Sequence, residues 1–257
     1  MLKELIKFPI LKRIIPSILI KILKITNKNR GYFKVKDIDM YLDFLDPIDR
    51  EIILNKNYET DEFNFTDSLF EKHAIDAFVD IGANCGYYLF ALSKNQTHLI
   101  GFEPNKEAFQ KMVKTLEKND ILKRKIDIYN FGISNQNLSL KMKSLVKFGY
   151  IQTGGSQITN QNTFNQNEVT FNADFKVGDE VLNFSNKILI FKIDVEGHEK
   201  NVLQGLIKTL SRNKCIIFIE VWDNYFNDID SYLSKNNYKL IKEFPKRSNY
   251  FYSNFDI

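Results

Sequence analysis

Two acidic residues and two glycines stand where two short apolar runs of the chain end. The first run ends at Asp80 and meets Gly82 and Gly86, which predicts a buried strand that turns sharply into a helix at Tyr87. Glycines at such a turn let the backbone approach a ligand closely, and the helix offers unpaired N–H groups. The second run delivers Glu103 to the same edge of the predicted sheet, where open α/β sheets bind ligands. Because a carboxylate there can accept both hydroxyls of a ribose, the pattern predicts a ribose-bearing ligand.

The glycine spacing separates two classes of cofactor. Dinucleotide-binding folds use G-x-G-x-x-G, whereas Asp80 is here followed by Gly82 and Gly86 with Asn84 between them. This spacing provides nothing for a pyrophosphate, which argues against a nicotinamide-dependent oxidoreductase. It looks like the S-adenosylmethionine site of Rossmann-like methyltransferases, whose ligand carries a ribose, an adenine and a methionine zwitterion but no phosphate.

A second cluster of titratable residues follows another apolar run, residues 188–193. Burial stops abruptly at Asp194, and Glu196 and His198 lie on either side of Gly197. The carboxyl ends of parallel strands meet at one edge of a sheet, so we expect this cluster to join Asp80 and Glu103.

The intervening segments are the elements that must position these residues. Strands alternate with short helical stretches, which predicts an α/β fold with a mostly parallel sheet and right-handed crossovers. Residues 238–244 and 250–253 predict a hairpin that makes the last strand antiparallel. Residues 135–187 are polar and contain Gly154, Gly155 and Ser156. Long insertions of this kind are usually functional, so we expect a substrate-side insertion here.

Composition indicates an ordinary globular chain. Its 257 residues are 44% hydrophobic and 26% charged, which favours one domain over residues 31–257. Cys85 and Cys215 fall beside predicted buried strands without a secretory signal, so we expect a cytoplasmic protein without disulfides.

Residues 1–30 carry eight Lys or Arg and one Glu, a net +7, which leaves −3 for the rest of a chain of total charge +4. The body is therefore not basic, and nucleic acid is not an expected partner.

The basic N-terminal segment, residues 1–30, is amphipathic. Apolar residues recur at helical spacing with lysines and arginines between them, but no uninterrupted apolar run of about 20 residues could span a bilayer. Residues 1–28 are predicted either to contact the cytoplasmic face of an anionic membrane or to pack on the core or on a partner subunit. An oligomer is therefore an open alternative.

Several motifs together resemble the FkbM family of S-adenosylmethionine-dependent methyltransferases. The motifs are residues 78–87, 100–105, 154–156 and 192–199, with further similarity at 41–59 and 178–181. The resemblance implies a Rossmann-like class I methyltransferase with a mostly parallel seven-stranded sheet, helices on both faces and an antiparallel C-terminal hairpin strand. It also implies S-adenosylmethionine as cofactor and O-methylation, most often of a sugar hydroxyl in a glycan or glycolipid.

The site residues are assigned as hypotheses on this basis. Asp80, Gly82, Asn84 and Gly86 would hold the methionine end and Glu103 the ribose. Adenine would lie near residues 130–133. The full set of predicted cofactor-binding residues is Asp80, Gly82, Asn84, Gly86, Glu103, Asn130, Gly132 and Asp194.

The predicted catalytic residues are Asp194, Glu196 and His198. An alcohol is a poor nucleophile until its proton leaves, and His198 titrates nearest neutral pH, so His198 is the candidate base and Asp194 its orienting residue. In the alternative interpretation His198 only starts a helix and bonds to Glu196 or Glu199. Magnesium on Asp194, Glu196 and Glu220 is a less favoured way of activating the hydroxyl.

Other acceptors and one non-enzymatic function stay open. A lipid head group, a peptide or a small natural product could carry the hydroxyl instead of a sugar. The runner-up from another chemical class is a nicotinamide-dependent oxidoreductase, which the missing G-x-G-x-x-G pattern argues against. A membrane-associated scaffold that retains an inactive cofactor fold is the third, non-enzymatic alternative.

Overall fold

The computed structural model describes residues 28–147, 150–160 and 165–257. Most of the basic N-terminal segment, whose helical pattern was predicted above, lies outside these residues. The described helices are α1 (Pro47–Asn55), α2 (Thr60–Lys72), α3 (Tyr87–Ala91), α4 (Lys106–Lys118), α5 (Gly178–Val181), α6 (Glu199–Gly205), α7 (Ile207–Ser211) and α8 (Asp223–Lys235). The described strands are β1 (Arg30–Val35), β2 (Ile38–Asp43), β3 (Ala77–Ile81), β4 (His98–Phe102), β5 (Ile126–Tyr129), β6 (Gly132–Ser134), β7 (Leu138–Lys147), β8 (Tyr150–Ile151), β9 (Gln157–Ile158), β10 (Glu168–Val177), β11 (Ile188–Ile193), β12 (Lys214–Glu220), β13 (Lys239–Phe244) and β14 (Asn249–Ser253).

The central sheet has seven strands in the order β13-β14-β12-β11-β3-β4-β5. The pairs β12/β11, β11/β3, β3/β4 and β4/β5 are parallel, whereas β14 runs antiparallel to both β12 and β13. This confirms the predicted mostly parallel sheet with an antiparallel hairpin strand.

Two apolar layers cover the two faces of this sheet. Phe78 and Phe218 on one face pack with side chains of α1 to α4, and Phe191 and Ile217 on the other face pack with side chains of α6 to α8. The strands β3 and β11 are buried along almost their whole length, as their continuous apolar sequences predict. The predicted helices on both faces are confirmed.

Local capping fixes where the helices on the site side begin. The Asn105 side chain accepts hydrogen bonds from the N–H groups of Glu107 and Ala108 at the start of α4. The Asp46 side chain accepts the N–H of Ile48 at the start of α1, where Pro47 needs no donor partner. The helical stretch that follows β11 is divided at Leu206 into α6 and α7.

The polar insertion 135–187 forms mainly a second sheet rather than a loop. Strands β7 and β10 pair antiparallel from Phe175↔Leu138 to Glu168↔Leu145, and the end of β10 pairs parallel with β6. The small core under this sheet is made by Met142, Ala173 and Phe175. The insertion is thus anchored to β6, which begins three residues after β5 ends at the site.

The chain between residues 30 and 43 forms a β-hairpin that the sequence analysis does not predict. Strands β1 and β2 pair antiparallel, and Lys36 and Asp37 at their turn both adopt positive φ angles, 47° and 60°. Within the described residues, no helix combines the length and the apolar character required to cross a membrane.

Candidate functional site

An open cavity lies where the parallel strands β3, β4, β11 and β12 end. The acidic and histidine residues that line it are Glu103, Asp194, Glu196, His198 and Glu220. A smaller adjoining cavity is lined by Asp80, Lys192 and Asp194, among others. The sheet topology therefore brings the two predicted clusters together, as the meeting of parallel strand ends requires.

Asp80 is a buried acid without a full set of partners. Its side chain belongs to a residue that is 1% exposed, and its Oδ1 atom has no hydrogen-bond partner among the described residues. Burial raises the pKa of Asp80 to about 7, the nearby Asp194 and Glu59 add to this, and Lys192 opposes it. A buried carboxylate without a partner is costly, so this oxygen marks a place where a cationic group would be stabilised.

Gly82 and Asn84 shape the turn between β3 and α3. Gly82 has φ +85°, and a Cβ atom built on it would lie 1.9 Å from the carbonyl oxygen of Asp194. Only glycine therefore allows the two strand ends to approach this closely. Asn84 has φ 49°, and its N–H donates to Oε2 of Glu103 over 2.8 Å.

Gly86 has a different role from the other residues of this motif. Its φ is +79°, and a Cβ atom here would lie 2.6 Å from the ring of Phe90 and 2.9 Å from Met112. Gly86 lines neither of the two cavities. The structure therefore places it under α3 and α4, where it permits close packing.

Glu103 is held firmly by the backbone. It is 6% exposed, and its Oε1 atom accepts the N–H of Asn105 over 2.7 Å while Oε2 accepts that of Asn84. Burial raises the pKa of Glu103 to about 7, although these backbone hydrogen bonds lower it. Both oxygens keep a second acceptor site, so the fixed carboxylate can still receive hydrogen bonds from two hydroxyls in the cavity.

The residues predicted near adenine are divided between the surface and the cavity. The exposed Asn130 donates its amide hydrogen to the carbonyl oxygens of Glu103 and Pro104, at 2.9 and 3.3 Å, and does not line the cavity. Gly132 and Ile133 do line it. A Cβ atom at Gly132 would meet the Phe175 ring at 2.3 Å, so this glycine admits the insertion to the cavity wall.

Lys192 is a buried cation among several acids. Its Nζ atom donates to Oδ2 of Asp194 over 3.0 Å in a residue that is 5% exposed. Burial by itself would lower the pKa of Lys192, but the carboxylates of Asp194, Asp80 and Glu59 outweigh burial and raise it. Lys192 is therefore charged at neutral pH.

The three predicted catalytic residues line the same cavity but are not joined as predicted. Asp194 bonds to Lys192, whereas Nε2 of His198 lies 2.9 Å from Oγ of Ser134. The His198 ring also packs edge-on against Phe175, with ring centroids 5.5 Å apart. The hydrogen-bond partner of the His198 ring among the described residues is thus Ser134, and not Asp194, Glu196 or Glu199. Glu199 accepts the N–H of Gly197.

Burial shifts the pKa values of the histidine and of the carboxyl groups in opposite directions and reverses their order. Burial lowers the pKa of His198 to about 4, so the imidazole is neutral at neutral pH. Burial, reinforced by Asp194 and Glu199, raises the pKa of Glu196 to about 7. Burial and the charge of Asp194 raise the pKa of Glu220 to about 8. Glu196 and Glu220 consequently change charge within the physiological range.

The magnesium alternative requires several acidic side chains to converge on one point. Among residues 28–147, 150–160 and 165–257, no group of three or more His, Cys, Asp or Glu side chains has the arrangement needed to hold a metal ion. Asp194, Glu196 and Glu220 line one cavity without forming such a group.

The insertion contributes one wall of the cavity through residues 153–156. The Thr153 hydroxyl lies 2.8 Å from Oδ2 of Asp46 and 2.9 Å from Oδ1 of Asn84, and the Thr153 N–H also donates to Asp46. Ser156 bonds to Asn105 over 2.9 Å. The insertion is therefore connected directly to the glycine turn and to the start of α4.

Some residues of the site escape sequence reasoning. Ser134, Thr153 and Lys192 were given no role by it, although Lys192 lies inside a quoted motif. A lysine within an otherwise apolar strand run is a signal that could have identified it, since a buried lysine needs acidic partners. Ser134 and Thr153 offer no comparable signal.

The fold and the strand-end site together define an α/β domain of the methyltransferase type. The family model described as the methyltransferase FkbM domain matches residues 80–240. Because this match covers more than half of the chain, the protein belongs to the FkbM methyltransferase family. No curated protein matches the sequence.

Several solved structures are similar to the chain. The FkbM methyltransferase of Methylobacillus flagellatus KT is 18% identical, with a TM-score of 0.49, over 70% of this chain and 43% of its own length. A putative caffeoyl-CoA O-methyltransferase of Staphylococcus aureus is 9% identical, with a TM-score of 0.48, over 93% of this chain and 97% of its own length. The Pyrococcus abyssi tRNA (uracil-54, C5)-methyltransferase was solved with S-adenosyl-L-homocysteine. It is 11% identical, with a TM-score of 0.45, over 88% of this chain and 44% of its own length. The chain thus spans less than half of the first and third of these proteins.

Proposed function

We propose that the protein transfers a methyl group from S-adenosylmethionine to a hydroxyl of an uncharged sugar, in a glycan or a glycolipid. The charge of the cavity wall carries this proposal. Its charged residues Glu103, Asp194, Glu196 and Glu220 are all acidic, and none of the described lining residues is Lys or Arg. In their ionised forms these carboxyl groups repel a phosphate, and in either form their oxygens accept hydrogen bonds from hydroxyls. This favours a sugar hydroxyl over a nucleic acid or a phosphorylated head group.

The cofactor fits three features of the site. The unpartnered Oδ1 atom of Asp80 would accept the ammonium group of the methionine part, and Glu103 would accept the two ribose hydroxyls. Gly82 brings the backbone close to this region, and Gly132 with Ile133 leaves a wall for the adenine. When bound, S-adenosylmethionine supplies an electrophilic methyl group on a sulfonium centre.

We assign proton removal from the acceptor hydroxyl to Glu196 rather than to His198. A general base works best when its pKa lies near the working pH. The pKa of Glu196 is about 7, whereas that of His198 is about 4, and both side chains line the cavity. His198, held by Ser134, is left to position the hydroxyl as a neutral hydrogen-bond partner. Most of the rate then comes from alignment of the acceptor oxygen in the cavity.

The kinetics of two variants separate these assignments. Glu196→Gln should lower kcat at least about 100-fold and abolish the rise of kcat with pH near 7, since general bases contribute about 10² to 10⁴. His198→Asn should mainly raise the KM of the acceptor. If His198→Asn instead removes the pH dependence while Glu196→Gln keeps it, His198 is the base.

The acceptor class is tested by transfer of a labelled methyl group. S-adenosylmethionine labelled in its methyl group is incubated with the full chain and a host extract, which is then separated into glycolipid, polysaccharide, protein, nucleic acid and small-molecule fractions. We expect label in a glycan-bearing fraction, lost in Glu103→Gln and kept in the exposed surface variant Glu117→Gln. Label confined to protein or nucleic acid would contradict the sugar acceptor but not the methyl transfer.

The domain boundaries and the cellular location are also proposed, each on one observation. Residues 31–257 are proposed to form one domain with 135–187 as a substrate-side insertion, which the bonds of Thr153 to Asp46 and Asn84 support. The net charge of +7 on residues 1–30 supports peripheral contact with an anionic membrane face in the cytoplasm. Co-sedimentation with anionic vesicles should fall when residues 1–28 are removed, and unchanged binding would contradict the contact.

A further inference from the structure

Two aromatic side chains are exposed at the edge of the site, beyond the end of β12. Trp222 is 37% exposed and Tyr225 is 44% exposed. Their ring centroids are 6.3 Å apart with the planes inclined by 32°, so the two rings form a shallow platform. Core packing does not account for this exposure, because the neighbouring Phe226 packs inward against Tyr250 with ring centroids 4.5 Å apart.

The platform continues the wall of the cavity. Gly197 stands between Glu196 and His198, which both line the cavity. A Cβ atom at Gly197 would lie 3.6 Å from Cζ3 and 3.9 Å from Cη2 of Trp222. The outer ring of the indole therefore lies against the turn that carries the proposed base. On the other side, β12 ends at Glu220, two residues before Trp222, and Glu220 also lines the cavity.

Aromatic faces beside carboxylates match one class of ligand well. The ring of a pyranose has an apolar, weakly positive C–H face, which packs on the electron-rich face of an indole or phenol. Its hydroxyls lie around the edge of the ring and donate to carboxylates such as Glu196 and Glu220. An exposed aromatic pair next to a polar cavity is thus complementary to a sugar in both parts.

We propose that Trp222 and Tyr225 form a subsite that holds the pyranose ring of the acceptor, with one hydroxyl directed over Gly197 to Glu196. This inference rests on the proposed function, because it names how the same site recognises its acceptor. The subsite selects for a sugar with an accessible C–H face and without a phosphate or carboxylate near the reacting hydroxyl, since the adjoining wall is acidic.

The single tryptophan of the chain makes the subsite directly observable. The full chain, saturated with S-adenosyl-L-homocysteine, is titrated with methyl α-D-glucopyranoside, methyl α-D-mannopyranoside and methyl α-D-galactopyranoside while Trp222 fluorescence and its quenching by acrylamide are recorded. We expect at least one glycoside to give a saturable shift and protection from acrylamide. Glucose 6-phosphate should bind at least tenfold more weakly. The absence of any saturable change with all three glycosides would overturn the subsite.

Variants separate the failure of the subsite from the failure of the proposed function. Trp222→Ala should lower kcat/KM for the labelled glycan fraction about tenfold and leave the Kd of S-adenosyl-L-homocysteine within twofold, whereas Trp222→Phe should keep most activity. Tyr32→Ala, an equally exposed aromatic on β1, should change neither quantity. Wild-type activity in Trp222→Ala would overturn the subsite while sugar methylation stands. A wild-type protein that labels only non-glycan fractions would overturn both.

Discussion

Two buried lysines, Lys111 and Lys192, both have acidic neighbours but belong to clusters that differ in one respect. Lys111 on α4 is 7% exposed and lies 2.7 Å from Oδ2 of Asp49 and 3.4 Å from Oδ2 of Asp46. It also donates to Thr153 over 3.0 Å. Lys192 on β11 is 5% exposed and donates to Asp194 over 3.0 Å.

Each cluster contains one carboxylate oxygen without a hydrogen-bond partner among the described residues, and the two differ in whether that residue lines a cavity of the site. Asp49 has one oxygen without a partner, but Asp49 lines neither cavity, and its other oxygen accepts from both Lys111 and the N–H of Asp43. The unpartnered oxygen of Asp80 belongs to a residue that lines the smaller cavity of the site. The first cluster is a structural connection between α1, α4 and the insertion. We propose that the second is an acidic site that a cationic ligand would complete.

The largest expected effect is on the stability of the first cluster, that of Lys111, Asp46 and Asp49. Lys111→Met leaves Asp46 and Asp49 buried without their cation, so the free energy of unfolding should fall by about 3–5 kcal/mol in urea denaturation. Lys106→Met, on the exposed side of the same helix, should change it by less than about 0.5 kcal/mol. Adding Asp49→Asn to Lys111→Met should restore part of the loss. An unchanged unfolding free energy in Lys111→Met would remove the distinction between the clusters.

A substitution in the second cluster, that of Asp80, Lys192 and Asp194, should affect ligand binding instead of lowering stability. Asp80→Asn removes a desolvated carboxylate that has an unpartnered oxygen, so the unfolding free energy should stay the same or rise. The affinity for S-adenosyl-L-homocysteine should fall about 10- to 150-fold, which corresponds to about 1.5–3 kcal/mol for a hydrogen bond to a charged group. Calorimetric titration measures the affinity and urea denaturation the stability. A variant that is strongly destabilised yet binds normally would assign Asp80 to the structure instead of to the cofactor.

The raised pKa values predict how the stability of the cofactor-free protein depends on pH. The pKa values of Asp80, Glu103 and Glu196 are about 7 and that of Glu220 is about 8, all above the values of the unfolded chain near 4. Between those limits the folded state binds more protons than the unfolded state, so the unfolding free energy falls as pH rises through this window. His198 opposes this between about pH 4 and 6.5, because its pKa is lowered to about 4.

Denaturation at pH 5, 6, 7 and 8 measures this slope. It should be smaller in Asp80→Asn, which removes one of the titrating groups, and unchanged in the surface variant Glu117→Gln. A wild-type stability that rises steadily from pH 6.5 to 8 would contradict the raised pKa values.

The smallest predicted effect concerns Thr153, which links the Lys111 cluster to the glycine turn of the site. Thr153→Val removes the hydroxyl that bonds to Asp46, Asn84 and Lys111, so the unfolding free energy should fall by about 1 kcal/mol. We expect kcat/KM to fall a few fold as the insertion loses its register on the glycine turn, and Thr153→Ser to restore both quantities. If Thr153→Ser behaves like Thr153→Val, the hydroxyl has no positioning role.

The parts of the fold that the sequence predicts are those encoded locally. Apolar runs before Asp80, Glu103 and Asp194 predict buried parallel strands, and parallel pairing then brings their carboxyl ends to one edge. The site follows from this rule without any knowledge of side-chain contacts. The antiparallel hairpin of β13 and β14 is encoded in the same way, by two short strands around Pro245.

The parts that the sequence does not predict depend on contacts between distant residues. Thr153 bonds to Asp46 across 107 positions, and His198 pairs with Ser134 across 64. Serine and threonine occur on any surface, so their types carry no information about such partners. The different roles of the two glycines of the motif cannot be predicted from the sequence for a related reason. Gly82 and Gly86 both have positive φ angles, and only tertiary packing places Gly82 at the site and Gly86 under α3 and α4.

The central claim, that the acidic cluster around Asp80 and Lys192 holds the cofactor, is tested most directly by proton release. S-adenosyl-L-homocysteine is titrated into the full chain at pH 6.5 in two buffers of different ionisation enthalpy. Its ammonium group should favour the ionised form of Asp80, whose pKa is about 7 in the free protein, so binding should release protons in the wild type and fewer in Asp80→Asn. Tight binding with no proton release, or with the same release in Asp80→Asn, would contradict the account.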